Sequence, residues 1–329
     1  MVAHLRLPVP EAEDLSGFIR TVIGAVSLAF VSVPGGIAFG QANTPSPPFR
    51  ANVDLVELRF LVSDQSGKYV TGLRASDIRI FEDDTPQAIA SFSEGGRVQL
   101  SAEAGRVSGI RVYILLDTSN AMYDTLPRVC DAVADFIRHL NPEDSLAVYT
   151  FSRNLWRSAP LTKEHNNARD ALRNVVAGED TAVFNALLLT LRDAEKAPGR
   201  TVVVLFSNGS DNGSIVRPAD VARVAADAGI PVYVISTQEA AKEEPTAKAF
   251  KFLTAYTGGK LYWGRNWQDR SKAFNAIHDD IEHSYSAGYY PAPNSNEGFR
   301  KIRIEVLPSS GKRYRVQVRP GYDARRASQ

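Results

Sequence analysis

The chain has 329 residues, of which 44% are hydrophobic and 23% charged, a composition typical of a folded globular protein with room for one large and one smaller domain. With a formal net charge of +1, the chain lacks the excess of basic residues that is typical of nucleic-acid-binding proteins. The single cysteine, Cys130, excludes an intramolecular disulfide and any cysteine-based zinc or iron–sulfur centre.

The amino-terminal region carries the pattern of an export signal. Residues 21–33 form an apolar run that is shorter than the roughly 20 apolar residues of a comfortable membrane span. A run of this length matches the apolar core of a secretory signal. Ala38 and Gly40 then place small residues at the −3 and −1 positions of a cleavage site before Gln41.

The organisation predicted for this region is a signal peptide and a linker. Residues 1–40 act either as a cleaved signal peptide or as an uncleaved anchor, which would hold the protein at a membrane through residues 21–33. Residues 41–50, rich in proline and serine, form the linker. We therefore expect an exported protein, located in the periplasm, in the cell envelope or outside the cell.

Both flanks of the chain show the period-two alternation of half-buried strands. The alternating apolar positions are Val56, Leu58, Phe60 and Val62, then Ile302, Ile304 and Val306, then Tyr314, Val316 and Val318. Residues 308–311 are predicted to join the last two strands as a hairpin. Because neither flank alone can bury a core, we expect the N-terminal β module (51–107) to pair with C-terminal strands (285–322) in one small β-sandwich-like module, with 323–329 as a tail.

The middle of the chain, residues 108–284, changes to strands that alternate with helices. Residues 112–116 and 201–206 are continuous apolar runs, as expected of strands covered on both faces. Apolar stripes at helical spacing occur at Val129, Val133, Phe136, Ile137 and Leu140, and again at Val221, Val224, Ala225 and Ala228. This rhythm predicts an α/β fold with a doubly wound, mostly parallel sheet. In such folds the binding crevice lies at the carboxyl ends of the strands, where the strand order reverses.

Oxygen-bearing side chains gather at those predicted strand ends. Asp117 and Ser119 follow the first strand, Thr181 precedes a helix, and Asn208 and Asp211 follow the fourth strand. Hydroxyl, amide and carboxylate oxygens without histidine or cysteine are hard ligands, which suit Mg²⁺, Mn²⁺ or Ca²⁺ better than zinc.

The pattern resembles the metal-ion-dependent adhesion site of von Willebrand factor type A domains. In that family Asp-x-Ser-x-Ser follows the first strand, a threonine lies further along, and an aspartate follows the fourth strand. The resemblance covers residues 108–284. The flanks, including 288–290 and 319–322, are similar to an Acidobacteria-type subgroup of exported von Willebrand factor A-related proteins.

The resemblance implies a non-enzymatic, adhesion-type module with protein partners. It places partner docking on the face that carries residues 117–124, 179–184 and 208–214. It also implies metal ligands at Asp117, Ser119 and Thr181, whereas Ala121 replaces the second serine and Asn208 replaces the last aspartate. Because one oxygen and one charge are lost, we expect a degenerate site that binds no cofactor, or binds Mg²⁺ or Ca²⁺ weakly.

Four further acidic residues lie in the same loops: Asp124, Glu179, Asp180 and Asp211. One interpretation is that they compensate for the lost ligands and form a looser site that suits Ca²⁺. The other is that they are solvated loop carboxylates, or helix N-caps, as Asp124 and Asp180 would be by position.

Two other functions are open at this point. The protein is alternatively a structural envelope component in which the type A domain is a spacer with no ligand in its crevice. A hydrolase that uses a crevice hydroxyl is the third hypothesis. No histidine or lysine is placed to serve as its base, so we expect no enzymatic activity.

Overall fold

The computed structural model describes residues 55–95, 97–99, 109–197, 199–209, 211–264, 267–307 and 313–324. The predicted signal peptide or anchor, the linker, the 308–311 loop and most of the tail lie outside these residues. No helix within the described ranges is long and apolar enough to cross a membrane.

The strands are β1 (Val56–Ser63), β2 (Ile78–Glu82), β3 (Thr85–Gln87), β4 (Ile89–Glu94), β5 (Arg97–Gln99), β6 (Arg111–Asp117), β7 (Ser145–Phe151), β8 (Leu155–Thr162), β9 (Thr201–Phe206), β10 (Val232–Thr237), β11 (Leu261–Gly264), β12 (Tyr285–Tyr289), β13 (Phe299–Val306), β14 (Arg315–Val318) and β15 (Gly321–Asp323). The α-helices are α1 (Leu126–His139), α2 (His165–Ala171), α3 (Val183–Ala194), α4 (Pro218–Asp227), α5 (Gln238–Lys242), α6 (Glu244–Thr257) and α7 (Trp267–Glu282).

The central sheet has six strands in the order β11-β10-β9-β6-β7-β8. All neighbours are parallel except β8, which runs antiparallel to β7. Every residue of β6 and β9 is buried, which explains why their sequences are apolar without alternation. The predicted doubly wound, mostly parallel α/β fold is confirmed.

Helices cover both faces of this sheet. Helices α1 and α7 pack on one face, where Phe136 and Phe274 meet with their ring centroids 5.5 Å apart. Helices α3, α4 and α6 pack on the other, where Phe184 and Phe250 meet with centroids 6.3 Å apart. The sheet is therefore the middle layer of three, and only its strand ends are open to ligands.

The two flanks of the chain form a β-sandwich. One sheet has the order β14-β1-β12-β4-β5 and the other the order β15-β13-β2-β3. Side chains from both sheets, among them Leu58, Phe60, Ile80, Tyr285 and Ile304, bury one shared core. Strand β1 pairs with β12 over Val56–Phe60, so residues from the two flanks of the chain close this module, as predicted.

The predicted hairpin between the last two long strands is wrong. Strand β13 pairs with β2, placing Ile302 opposite Glu82, whereas β14 pairs with β1, placing Val318 opposite Phe60. The two strands lie in different sheets of the sandwich. An alternating strand fits either inner face of a sandwich equally well, so alternation alone does not identify its partner.

The strand order of the central sheet reverses between β6 and β9. From β6 the chain continues outwards to β7, and from β9 it continues outwards to β10 on the opposite side. Loops that leave the carboxyl ends of β6 and β9 therefore diverge and leave a crevice between them. Asp117 ends β6, and Ser207 and Asn208 directly follow β9, so all three lie at this point.

Candidate functional site

Asp117 is the centre of the crevice and is fully buried. Its Oδ1 accepts a hydrogen bond from the Ser119 backbone N–H at 2.9 Å, and its Oδ2 accepts one from the Ser207 hydroxyl at 2.6 Å. Burial raises the pKa of Asp117, and the hydrogen bond from Ser207 offsets part of this rise. The carboxylate is held in one orientation by donors from both central strands.

Two buried oxygen atoms beside Asp117 have no hydrogen-bond partner. They are the Ser119 hydroxyl, on a residue that is 1% exposed, and the Asn208 side-chain carbonyl. A buried polar atom without a partner costs roughly 1–3 kcal/mol, so native structures rarely retain one without a functional reason. Both atoms are therefore available to a ligand or partner that supplies hydrogen-bond donors or positive charge.

Gly209 makes the turn that places Asn208 in the crevice. Its φ is +96°, a conformation that a residue with a side chain rarely adopts. A Cβ at this position would also lie 2.6 Å from Cγ2 of Thr246 and 2.8 Å from Cβ of Ala240. The chain after β9 therefore requires glycine here in order to pass close beneath α5 and α6.

Backbone hydrogen bonds tie the loops around the crevice together. The Gly178 N–H donates to the Thr118 carbonyl at 2.6 Å, and the Asn120 N–H donates to the Glu179 carbonyl at 3.1 Å. The loop after β6 and the segment before α3 are thus joined at two points. Their relative position is set before any ligand binds.

Thr181 is joined to the loop after β9 in the same way. Its N–H donates to Oδ1 of Asn212 at 3.0 Å, and its carbonyl accepts from the N–H groups of Asn212 and Gly213 at 3.1 and 2.9 Å. Thr181 is 4% exposed. The structure thus brings the predicted residues Asp117, Ser119, Thr181 and Asn208 to one edge of the sheet, on three connected segments.

The four additional acidic residues have separate surroundings. Asp180 pairs with Arg153, and both side chains are partly exposed. Asp124 and Glu179 are exposed. Asp211 faces the start of α3, where it accepts hydrogen bonds from backbone N–H groups. Across the described ranges, no three His, Cys, Asp or Glu side chains are placed to hold a metal ion together.

The predicted N-cap roles of Asp124 and Asp180 are wrong. Helix α1 has Thr125 at its N-cap position and α3 has Ala182, and neither side chain accepts a capping hydrogen bond. Asp211 and Ser214 cap α3 from the loop after β9 instead. Asp211 Oδ2 accepts from the Phe184 N–H at 3.3 Å, and the Ser214 hydroxyl accepts from the same group at 3.0 Å.

The substitution Asp211→Ala tests this capping role. It removes one of the two capping groups of α3, together with the two hydrogen bonds that Asp211 Oδ1 accepts from the Ser214 and Gly213 N–H groups. We expect the free energy of unfolding to fall by about 1–2 kcal/mol, measured by urea denaturation. The control Asp180→Ala breaks only a solvent-exposed ion pair and should cost about 0.5 kcal/mol or less. A loss for Asp211→Ala that appears only when divalent cations are present would identify it as a metal ligand instead.

The donor set of the crevice does not fit the magnesium site of von Willebrand factor type A domains. Asp117 is its single carboxylate, and both of its oxygens already accept hydrogen bonds. Ser119 and Asn208 offer neutral oxygens, and Ala121 offers none. Mg²⁺ requires near-octahedral oxygen coordination and gives up its bound water reluctantly. One negative charge and few oxygens do not compensate for the loss of that water, so the crevice should bind Mg²⁺ poorly.

Three large apolar side chains in the segments that flank the crevice are exposed to solvent. Tyr123, Val176 and Ile215, here called the rim, are 71%, 79% and 91% exposed. Tyr123 and Val176 line one surface groove whose wall includes Leu126 on α1.

The rim was not predicted from the sequence, because the sequence alone does not show whether an apolar residue in a loop is buried or exposed. Ser207, the hydrogen-bond donor to Asp117, was missed too, although its place directly after β9 was the available signal.

Comparison with known proteins identifies the central domain. Residues 112–250 match the sequence model of the von Willebrand factor type A domain. A UPF0353 protein of Mycolicibacterium paratuberculosis is 25% identical over 228 residues, which cover 60% of this chain and 66% of that protein. The alignment thus spans just under two thirds of the relative's length.

Two solved structures are also similar to this chain. A von Willebrand factor type A protein from Catenulispora acidiphila has 13% identity and a TM-score of 0.47, with 83% of this chain and 75% of that chain covered. The conserved hypothetical protein BatB from Bacteroides thetaiotaomicron has 17% identity and a TM-score of 0.43, with 52% and 100% covered. The family match thus covers residues 112–250, the greater part of the central α/β domain.

Proposed function

We propose that the protein is an exported, non-enzymatic binding module of adhesion type, which docks a protein partner on the carboxyl edge of its type A domain with little or no contribution from a divalent cation. The observation that carries this proposal is the combination of a preformed polar crevice with an exposed apolar rim in the segments that flank it. Export is proposed from the apolar run at residues 21–33 and the cleavage pattern that follows it.

The chemistry of the crevice indicates what the partner supplies. The buried acceptors are Asp117, Ser119 Oγ and Asn208 Oδ1, and the last two have no donor. In the family's intact site, a metal ion lets a partner's acidic side chain bind to such a set. Without the metal, a partner must supply donors directly, and a lysine ammonium has three donors and one positive charge.

The rim supplies the apolar part of the proposed contact. Exposed apolar side chains grouped around a polar site mark interaction surfaces, and aromatic residues among them contribute most to binding. Because the loops are joined by backbone hydrogen bonds, Tyr123 and Val176 are presented on a rigid support. Little conformational entropy is then lost when a partner binds.

Catalysis has no support in the crevice. The Ser119 hydroxyl is the candidate nucleophile, and no histidine or lysine side chain of the described residues is hydrogen-bonded to it. A serine nucleophile needs an adjacent base to remove its proton. The function that fits the crevice is therefore binding rather than hydrolysis.

Serine substitutions in the rim test the proposal. Immobilised full-length protein is used to capture partners from the envelope fraction of the producing cell, and the affinity of the captured partner is then measured. We expect Tyr123→Ser and Ile215→Ser each to weaken binding by about tenfold or more, without changing Tm, because both residues are exposed.

The matched control is Leu189→Ser on α3, which removes an apolar side chain that is 56% exposed outside the rim. It should leave affinity unchanged. If all three variants bind the partner as wild type does, the docking face is wrong. That result would favour the alternative in which the type A domain is a structural spacer.

A further inference from the structure

A small cavity lined by two arginines and several apolar residues lies at the opposite, amino-terminal edge of the central sheet. It has a volume of about 20 Å³ and lies between the sandwich and the type A domain. Arg59 and Phe60 of β1 form one wall, and Arg200, just before β9, and Tyr233 of β10 form the other. None of these residues belongs to the docking face.

Two guanidinium groups share this small space. Arg59 Nη1 donates to the carbonyl of Thr201, and Arg200 Nη2 donates to the hydroxyl of Ser284 at 3.2 Å. Nε and Nη1 of Arg200 are buried and have no hydrogen-bond partner. Buried guanidinium donors without partners are costly, because arginine does not release its proton to avoid the charge.

A third arginine increases the positive charge at this edge. Arg111 is 9% exposed, and it donates to the hydroxyl of Thr201 through Nε at 3.0 Å and through Nη2 at 2.8 Å. Burial lowers the pKa of Arg59 to about 9, and the charge of Arg200 is the second cause. Like charges of this kind need a counter-charge nearby.

Two carboxylates of the region, Asp144 and Glu57, act to raise the pKa of Arg200 and so offset part of the positive charge of the three arginines. Asp144 is buried, but its two oxygens accept hydrogen bonds from the N–H groups of Ile110 at 2.8 Å and Asn141 at 3.1 Å. Glu57 is exposed on β1. Neither of these carboxylates lines the cavity.

We propose that this cavity is a binding site for a small monovalent anion of the size of chloride, held by Arg59 and Arg200. Space for a single water-sized particle takes at least about 10–15 Å³, so the cavity has room for one small ion. A water molecule fills the same space but does not neutralise two guanidinium groups. The anion joins β1 of the sandwich to the start of β9, so it stabilises the contact between the two modules.

Chloride-dependent stability tests the proposal. Thermal denaturation of the full chain is measured in sodium chloride and in sodium gluconate at equal ionic strength. We expect Tm to rise with chloride on the order of 3 °C per tenfold increase once the site is being filled, and not with gluconate. Arg200→Met should remove the difference between the two salts. Arg173→Met, which replaces an exposed arginine, should keep it.

Bromide supplies a measurement that needs no variant. Crystals of the wild-type protein soaked in sodium bromide should show an anomalous peak between the guanidinium groups of Arg59 and Arg200. Equal Tm values for wild type in the two salts would overturn the proposal. The absence of a bromide peak at this position would overturn it as well, since the cavity would then hold water.

Discussion

The substitution Glu82→Ala should lower the free energy of unfolding by about 3–5 kcal/mol, because it leaves a buried network without its acceptor. Glu82 is fully buried in the sandwich. Its Oε2 accepts hydrogen bonds from the hydroxyls of Tyr289 at 2.6 Å and Tyr322 at 2.8 Å, and its Oε1 accepts one from Arg300 Nη1 at 2.9 Å. Alanine leaves the charge of Arg300, whose side chain is 14% exposed, and two tyrosine hydroxyls without this partner.

Urea denaturation measures this loss, and Glu305→Ala provides the control. Glu305 is also a strand glutamate paired with an arginine, but it and Arg303 are each 47% exposed. The exposed pair should contribute no more than about 1 kcal/mol. Equal losses for the two alanine variants would show that the Glu82 network does not hold the sandwich together.

The double variant Ala121→Ser/Asn208→Asp should gain a magnesium dependence that we do not expect of the wild-type protein. It restores the hydroxyl and the carboxylate that the resemblance to the family's metal site requires. Without divalent cations, the new carboxylate near buried Asp117 should lower Tm through like-charge repulsion. With Mg²⁺ at a thousand times its Kd, linkage predicts a stabilisation of about 4 kcal/mol.

Differential scanning calorimetry in chelator and in Mg²⁺ distinguishes the two effects. We expect the Tm of the double variant to lie below that of wild type in chelator and to rise in Mg²⁺. General damage to the fold would lower Tm in both conditions. Asn154→Asp is the control, because it adds a carboxylate at an exposed position between β7 and β8. The account of the substituted site fails if the double variant and wild type respond alike to Mg²⁺.

Strand and helix positions in the central domain could be predicted because buried strands and helix faces require apolar residues at spacings that are visible in the sequence. Strand β9 spans Thr201–Phe206, the residues of its apolar run, and β6 extends its predicted run by one residue at each end. Asp117 at the end of β6 was found for the same reason. A polar residue after an apolar run marks the point where the chain leaves the buried sheet.

Partners distant in the sequence could not be predicted in the same way. The pairing of β14 with β1 rather than β13 depends on which inner face of the sandwich each strand meets. Asp211 caps α3 although it lies 28 positions after Val183, where the helix begins. A rule based on position in the sequence considers only residues just before the helix, such as Asp180. Sequence propensity reflects the chemistry of residues that are close in the chain. Tertiary contacts determine which of several chemically suitable groups forms a given cap or strand pair.

The metal dependence of the crevice formed by Asp117, Ser119, Thr181 and Asn208 is tested most directly by thermal denaturation of the wild-type chain. The measurement is made in chelator and across a titration of Mg²⁺ and of Ca²⁺ into the millimolar range. A ligand that binds only the folded state must raise Tm as its concentration increases. We predict that Tm stays unchanged in both titrations. A saturating rise of Tm with either ion would show that this crevice holds a metal despite Ala121 and Asn208.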